Sequence, residues 1–208
     1  MLDEIIPLIK KLKGRSLLLF SAKVRFEKAC EILLAKLNEE IPIHIQGLGK
    51  NVVDEFKTTG GVLVGMESFG EGIDIPGKTL EFVYIDKVPD LRQDIVIQKR
   101  RDFYDANFGN EFADYFLAHR TRSLHQKLGR LLRRESDRGC AIVTDSRLAR
   151  WKGRTIDTFR QMMLPYEFEK CSLNDACEKV ESFLCDDNNG ALENFASDDT
   201  LSKPVEHP

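Results

Sequence analysis

The chain has 208 residues, 42% of them hydrophobic, and a formal net charge of −3. That suffices for one well-packed domain with a ragged end, and it excludes the bulk positive field of a general nucleic-acid binder. The charge is unevenly placed: residues 120–154 hold 11 Lys/Arg against 3 Asp/Glu, and residues 167–208 hold 3 Lys against 11 Asp/Glu. A basic segment inside an acidic chain suits a confined anionic ligand or a solvated face.

In chain order, the opening MLDEIIPLIKKLKG is charged and interrupted by Pro7, which fits neither a secretory leader nor a membrane span. Five apolar runs then predict buried parallel strands: SLLLFS at 16–21, IPIHIQ at 41–46, GVLVGM at 61–66, LEFVYID at 80–86 and CAIVTD at 140–145. Strands covered on both faces read as continuous apolar runs rather than alternating ones. Between them, residues 23–38 place Phe26, Ala29, Cys30, Leu33, Leu34 and Leu37 on one face of a helix. Residues 52–56 suggest a short helix, and a long helical stretch precedes the fifth strand. The alternation predicts an α/β sandwich with a parallel sheet over residues 1–185. Residues 186–208 are acidic and polar, a composition that predicts a disordered tail.

The five cysteines, Cys30, Cys140, Cys171, Cys177 and Cys185, form no C-x-x-C and have no histidine at ligand spacing, so no metal site is expected. An odd number of thiols fits a reduced, intracellular and therefore cytoplasmic setting.

Residues 72–79, GIDIPGKT, fit the phosphate-loop pattern G-x-x-x-x-G-K-[ST]. That pattern needs a strand ending at the loop and a helix whose N-terminus receives the phosphates. Here the preceding strand ends six residues early, Pro76 has no N–H to offer, and a β-rich run follows Thr79. The match is therefore a coincidence, and Lys78 is predicted to be dispensable for nucleotide chemistry. FVYID, ending in Asp86, follows too closely to serve as a magnesium-binding strand after a crossover helix.

The same loop offers glycines, Ser68, Glu71 and Asp74 at a strand end, where open α/β sheets bind ligands; an ordinary glycine-rich turn with solvated acids remains open. In LHQKLGRLLRRESDRG, Leu124, Leu128, Leu131 and Leu132 form an apolar stripe. Arg122, Gln126, Arg130 and Arg133 fall opposite it, and Gly129 permits close backbone approach. A fixed guanidinium fork grips phosphate oxygens, but helical spacing alone also describes a wet basic face.

Four segments together resemble the second motor lobe of superfamily-2 helicases of the DinG-type, XPD-like branch. They are LLLFSAKVRFEKA (17–29), IHIQG with DEFKTTGGVLVGMESFGEGIDIPG (43–47, 54–77), QKLGRLLR (126–133) and SDRGCAIVTDSR (136–147). The resemblance implies a RecA-like three-layer sandwich that closes over ATP and magnesium bound chiefly by an N-terminal lobe. It implies Gln126, Arg130 and Arg133 at the γ-phosphate, the arginines as fingers, with Gly129 beside them. It further implies that Gly72, Asp74 and Glu71 couple the nucleotide gap to a single-stranded DNA track, with Phe20, Ser21 and Ser68 toward the nucleic acid. The sequence departs from the branch at Gly70, where Trp is common, at Lys127, where Gly is common, and at VPDLRQDI, where a proline-rich segment is usual.

No true phosphate loop and no acidic box of a first lobe is present, so the expected function is half an engine. It is the C-terminal domain of an ATP-dependent DNA helicase, unwinding 5′ to 3′ by the resemblance and hydrolysing ATP only with its other lobe. The alternatives are a non-catalytic nucleic-acid-binding or adaptor protein that keeps the lobe as a scaffold, and a small nucleotidase built on residues 72–79.

Overall fold

The computed structural model describes residues 2–37, 39–70, 73, 75, 77–88, 94–109, 115–129 and 137–185. The acidic segment 186–208 lies outside them. Five parallel strands form one sheet: β1 (Ser16–Phe20), β2 (Ile43–Ile45), β3 (Val62–Met66), β4 (Phe82–Ile85) and β5 (Cys140–Val143), in the order β2-β3-β1-β4-β5. Each apolar run of the sequence carries one of them. The strands are a residue or more shorter than the runs; at β2 and β4 the flanking apolar residues Ile41 and Leu80 bury in turns outside the ladder.

The central strand shows why such runs are unbroken. Leu17 and Leu19 enter one core cluster and Leu18 and Phe20 the other, so both faces of β1 are covered. One layer consists of α1 (Leu2–Lys11), α2 (Lys23–Leu37) and α8 (Leu173–Cys185). The other consists of α3 (Val52–Thr59), α5 (Leu117–Leu128), α6 (Ser146–Arg150) and α7 (Arg154–Met162). This is the expected three-layer α/β sandwich.

Two helical expectations need correction. Leu34, placed on the buried face of α2, is 41% exposed, because Ala29, Cys30, Leu33 and Leu37 already fill the seam with α1 and the sheet. The long helical stretch before β5 is divided into α4 (Ile95–Phe108) and α5, with Gly109 at φ 68° closing α4. Asp94 caps α4 by accepting from the Ile97 N–H at 2.8 Å, yet α4 buries no residue. Two further helices, α1 and α8, were not expected; they pack against each other and close one face of the sheet. α1 holds its course through Pro7 because Ile5, Ile6, Leu8 and Ile9 are all buried.

Among the described residues no helix is long and apolar enough to cross a membrane. Burial pushes the Cys30 thiol up to about 11 and the Cys140 thiol to about 12, so both stay protonated at neutral pH.

Candidate functional site

The chain leaves β1 toward β2 and leaves β4 toward β5, although β1 and β4 are neighbours. In a sheet of this kind the ligand crevice opens at the carboxyl ends of such a strand pair. Those ends carry Ser21 and Asp86. The Ser21 N–H donates to Asp86 Oδ1 at 2.8 Å and its hydroxyl to Oδ2 at 3.3 Å. Arg25, from the first turn of α2, places Nε 2.9 Å from Asp86 Oδ2 and donates to Ser21 Oγ at 2.7 Å. Asp86 is 4% exposed, so this buried carboxylate organises the loop after β1. Phe20 is the last residue of β1, but its ring is 3% exposed and packs 5.8 Å from Tyr84. Ser21, not the Phe20 ring, is therefore the group presented at this edge.

The loop after β3 begins as a 3-10 turn, Glu67–Gly70. Gly65 makes room for it: a Cβ there would stand 2.3 Å from the Phe69 ring, which folds back over the strand. That arrangement leaves Ser68 exposed at the crevice edge. Gln46, which follows β2, accepts from the Met66 N–H at 2.7 Å and fixes the end of β3. Glu71, Gly72 and Asp74 lie outside the described residues.

Helix α5 brings the second group. Leu124 and Leu128 are buried, while Arg122 and Gln126 are exposed on one side, as their spacing predicts. Gly129 ends the helix with its N–H donating to His125 O at 2.8 Å. Among the described residues nothing requires glycine at 129, since a Cβ there would meet His125 O at an ordinary 3.4 Å. The helix end is tied to the segment after α7, where His125 Nε2 lies 3.1 Å from the Leu164 carbonyl oxygen and its ring stands 5.0 Å from that of Tyr166. Arg130, Arg133, Leu131 and Leu132 lie outside the described residues.

Sequence reasoning missed the residue that joins these pieces. Lys127 is 2% exposed, and its ammonium lies 3.7 Å from Glu67 Oε1. It links the helix holding Gln126 to the turn holding Ser68. Helical spacing puts Lys127 beside the apolar stripe, which was the available signal. A second tether runs from β5 to the exit of β4: Asp145 accepts from the Val88 N–H at 3.0 Å and from the Arg147 N–H at 2.9 Å. Burial pushes the Asp145 carboxyl up, but its hydrogen bonds from Arg147 and Val88 outweigh this and hold it below the usual carboxylate value.

The phosphate-loop look-alike sits elsewhere. Gly77–Thr79 is a 3-10 turn that leads directly into β4, so Lys78 stands at the amino end of a strand, away from the crevice. A phosphate loop would follow a carboxyl end and open a helix. Among the described residues, no three His, Cys, Asp or Glu side chains gather as a metal site.

The parallel sheet, its two helical layers and the loops at its carboxyl edge define a RecA-like lobe. A yeast structure, S. cerevisiae Dbp5 bound to RNA and ADP BeF3, matches this fold with a TM-score of 0.53 at 19% identity, over 87% of this chain and 39% of that one. The family model for the helicase C-terminal domain matches residues 5–164, and the chain belongs to that family, as a C-terminal lobe of the DinG type. The ATP-dependent helicase DinG of Mycobacterium tuberculosis is 35% identical over 150 residues, 71% of this chain. A Methanocaldococcus jannaschii protein named as a probable ATP-dependent helicase is 28% identical over 201 residues, 87% of this chain. The chain spans 23% and 30% of the lengths of these two relatives.

Proposed function

We propose that this chain acts as the second motor lobe of an ATP-dependent DNA helicase, closing over ATP and magnesium held chiefly by an N-terminal lobe. In that reading Gln126, Arg130 and Arg133 reach the γ-phosphate from the end of α5, with Gly129 allowing the approach. Water attacks the γ-phosphorus, the bond to the departing ADP oxygen breaks, and the guanidiniums stabilise the charge spread over the phosphoryl oxygens. Such fingers contribute about 10³–10⁵ in rate where they have been removed. Gly72, Asp74 and Glu71 relay closure to the track, and Ser21 and Ser68 hold phosphates of single-stranded DNA, with the backbone at Phe20 beside them. A cytoplasmic setting belongs to the same proposal.

The observation that carries this reading is the match to the helicase C-terminal domain over residues 5–164, which takes in the crevice loops and the Q-x-x-G-R-x-x-R segment. Within the lobe, the contact between Lys127 and Glu67 joins the Q-x-x-G helix to the turn after β3. Relatives named as ATP-dependent helicases support the nucleotide, and the exposure of Gln126 and Ser68 supports their roles.

The test replaces the equivalent segment of the M. tuberculosis relative with this chain and follows ATP hydrolysis with and without single-stranded DNA. DNA-stimulated turnover that falls at least about 10³-fold in Arg130→Ala is expected. A folded chimera that binds DNA but hydrolyses nothing would favour the adaptor reading. Robust hydrolysis by the chain alone, lost in Lys78→Ala, would reinstate the small nucleotidase.

A further inference from the structure

At the amino ends of the strands, opposite the crevice, the chain forms a hollow of about 630 Å³. Its walls include Lys10, Lys13, Arg15, Lys57 and Lys78, with Glu40 the single acid among the lining residues. The chain as a whole carries −3, so this cluster runs against the global balance. Lys10, Lys13 and Arg15 belong to the basic run KKLKGR at 10–15, and the fold brings the distant Lys57 and Lys78 beside them.

They do not all have the same purpose. Lys10 and Lys57 stand in the last turns of α1 and α3, where a cation answers the helix carbonyls. Each also has an acid: Lys10 lies 2.6 Å from Glu40, and Lys57 lies 3.5 Å from Asp54. Arg15 is clamped by Glu81 and by its Nε donating to Leu12 O at 2.7 Å, which fixes the guanidinium in the wall. Lys13 and Lys78 have no ion pair among the described residues.

Lys13 occupies its place against local preference. The Gly14 N–H bonds to Ile9 O and the Lys13 N–H to Lys10 O, both at 3.0 Å, which is the paired ending that puts one residue in the left-handed region. That residue is Lys13, at φ 52°, where glycine is favoured. Arg15 follows at φ 45°. Two consecutive cations of the wall are thus held in a conformation that side-chain-bearing residues rarely adopt. The close approach of Gly14 to Gly61 then seats the α1–β1 turn against the α3–β3 turn and forms the floor: a Cβ on Gly14 would stand 2.5 Å from the Gly61 backbone.

We infer that this hollow is a second anion site, for a phosphate-bearing ligand, on the edge of the lobe away from the nucleotide crevice. Arg15, held in place by Glu81, lends the wall its remaining N–H groups, and Lys13 and Lys78 supply point charges with no ion pair among the described residues. The ligand is either a free polyphosphate or the backbone of a nucleic-acid strand, which share this chemistry. The inference is independent of the helicase reading, because it uses none of the crevice residues.

The test is a two-dimensional amide NMR titration of the full chain with inorganic tripolyphosphate and, separately, with a single-stranded oligonucleotide. Saturable shifts at Gly14, Gly60, Gly61 and Thr79 are expected with at least one probe. Lys13→Gly should leave Tm unchanged or raised while weakening binding, because glycine suits the backbone but removes the charge. Lys78→Gln should do the same to binding, and each change should lower the single-stranded oligonucleotide's log-affinity slope against log salt by about 0.7. Tripolyphosphate binding as tightly as the oligonucleotide assigns a free ligand; oligonucleotide binding at least about tenfold tighter assigns a strand. Shifts confined to the Ser21, Ser68 and Gln126 edge, or binding unchanged in both variants, would overturn the site.

Discussion

The Lys127 ammonium lies 3.7 Å from Glu67 Oε1, with 2% of the lysine side chain exposed against 29% of the glutamate's. A buried ammonium needs a counter-charge and hydrogen-bond partners, whereas a half-exposed carboxylate can fall back on water. The lysine is therefore predicted to respond differently to loss of its volume and to loss of its charge. Lys127→Ala should lose about 1–3 kcal/mol, since it opens a cavity in a closed seam. Lys127→Met should stay within about 1 kcal/mol of the parent, because it keeps the volume and removes the charge needing compensation. Urea unfolding of the three proteins decides it; equal losses in both variants would show that the charge pair, not the filled volume, holds α5 to the turn.

Asp86 holds the Ser21 loop from below. Replacing it with Ala removes the acceptor of the Ser21 N–H and leaves Arg25 without its buried partner. The expected cost is about 1–3 kcal/mol. Amide exchange should accelerate at Ser21 well before it does in β1, because the strand keeps its own ladder with β3 and β4. Uniform acceleration across β1 would contradict a role confined to the loop.

The Asp145 carboxyl is held below the ordinary value by Arg147 and Val88 in spite of its burial. A group whose folded value is depressed contributes stability fully above its unfolded value, near 4, and loses it as the pH falls toward the folded value. The protein should therefore lose stability more steeply below about pH 4 than Asp145→Asn does, starting from a higher Tm at neutral pH. Thermal unfolding from pH 7 to pH 2.5 gives the comparison. Parallel curves would mean that this carboxylate is not the source of acid lability.

Two glycines separate backbone conformation from crowding. Gly47 and Gly61 have φ values of 88° and 99°, but a Cβ on Gly47 meets nothing within 4 Å, whereas one on Gly61 would stand 2.2 Å from Pro42 O. Gly47→Ala should cost only the conformational term, about 1 kcal/mol. Gly61→Ala must also push apart β3 and the turn before β2, so a loss at least about 2 kcal/mol larger is expected. Similar melting temperatures for the two variants would remove crowding from the account.

Much of this fold was legible because its signals are local. Each strand announced itself as an unbroken apolar run, since both of its faces are covered. Pro76 and the run after Thr79 showed that GKT opens no helix. The boundary between α4 and α5 was harder, because Gly109 ends a helix by adopting a left-handed conformation that the letter alone does not require. Leu34 misled because a period of 3.6 describes a face but not how much of it the neighbours cover.

By itself the sequence determined the class of the lobe, the number and direction of its strands, and the segments that build its crevice. These follow from periodicity and from motif residues adjacent in the chain. Only the tertiary structure decided that Lys127 is buried against Glu67, that Asp86 organises Ser21, and that Lys78 faces the opposite edge beside Lys13 and Arg15. Each of these depends on contacts between residues tens of positions apart. Charge and hydrogen bonding act over a few ångströms of space, and distance along the chain does not fix that separation until the strands have paired.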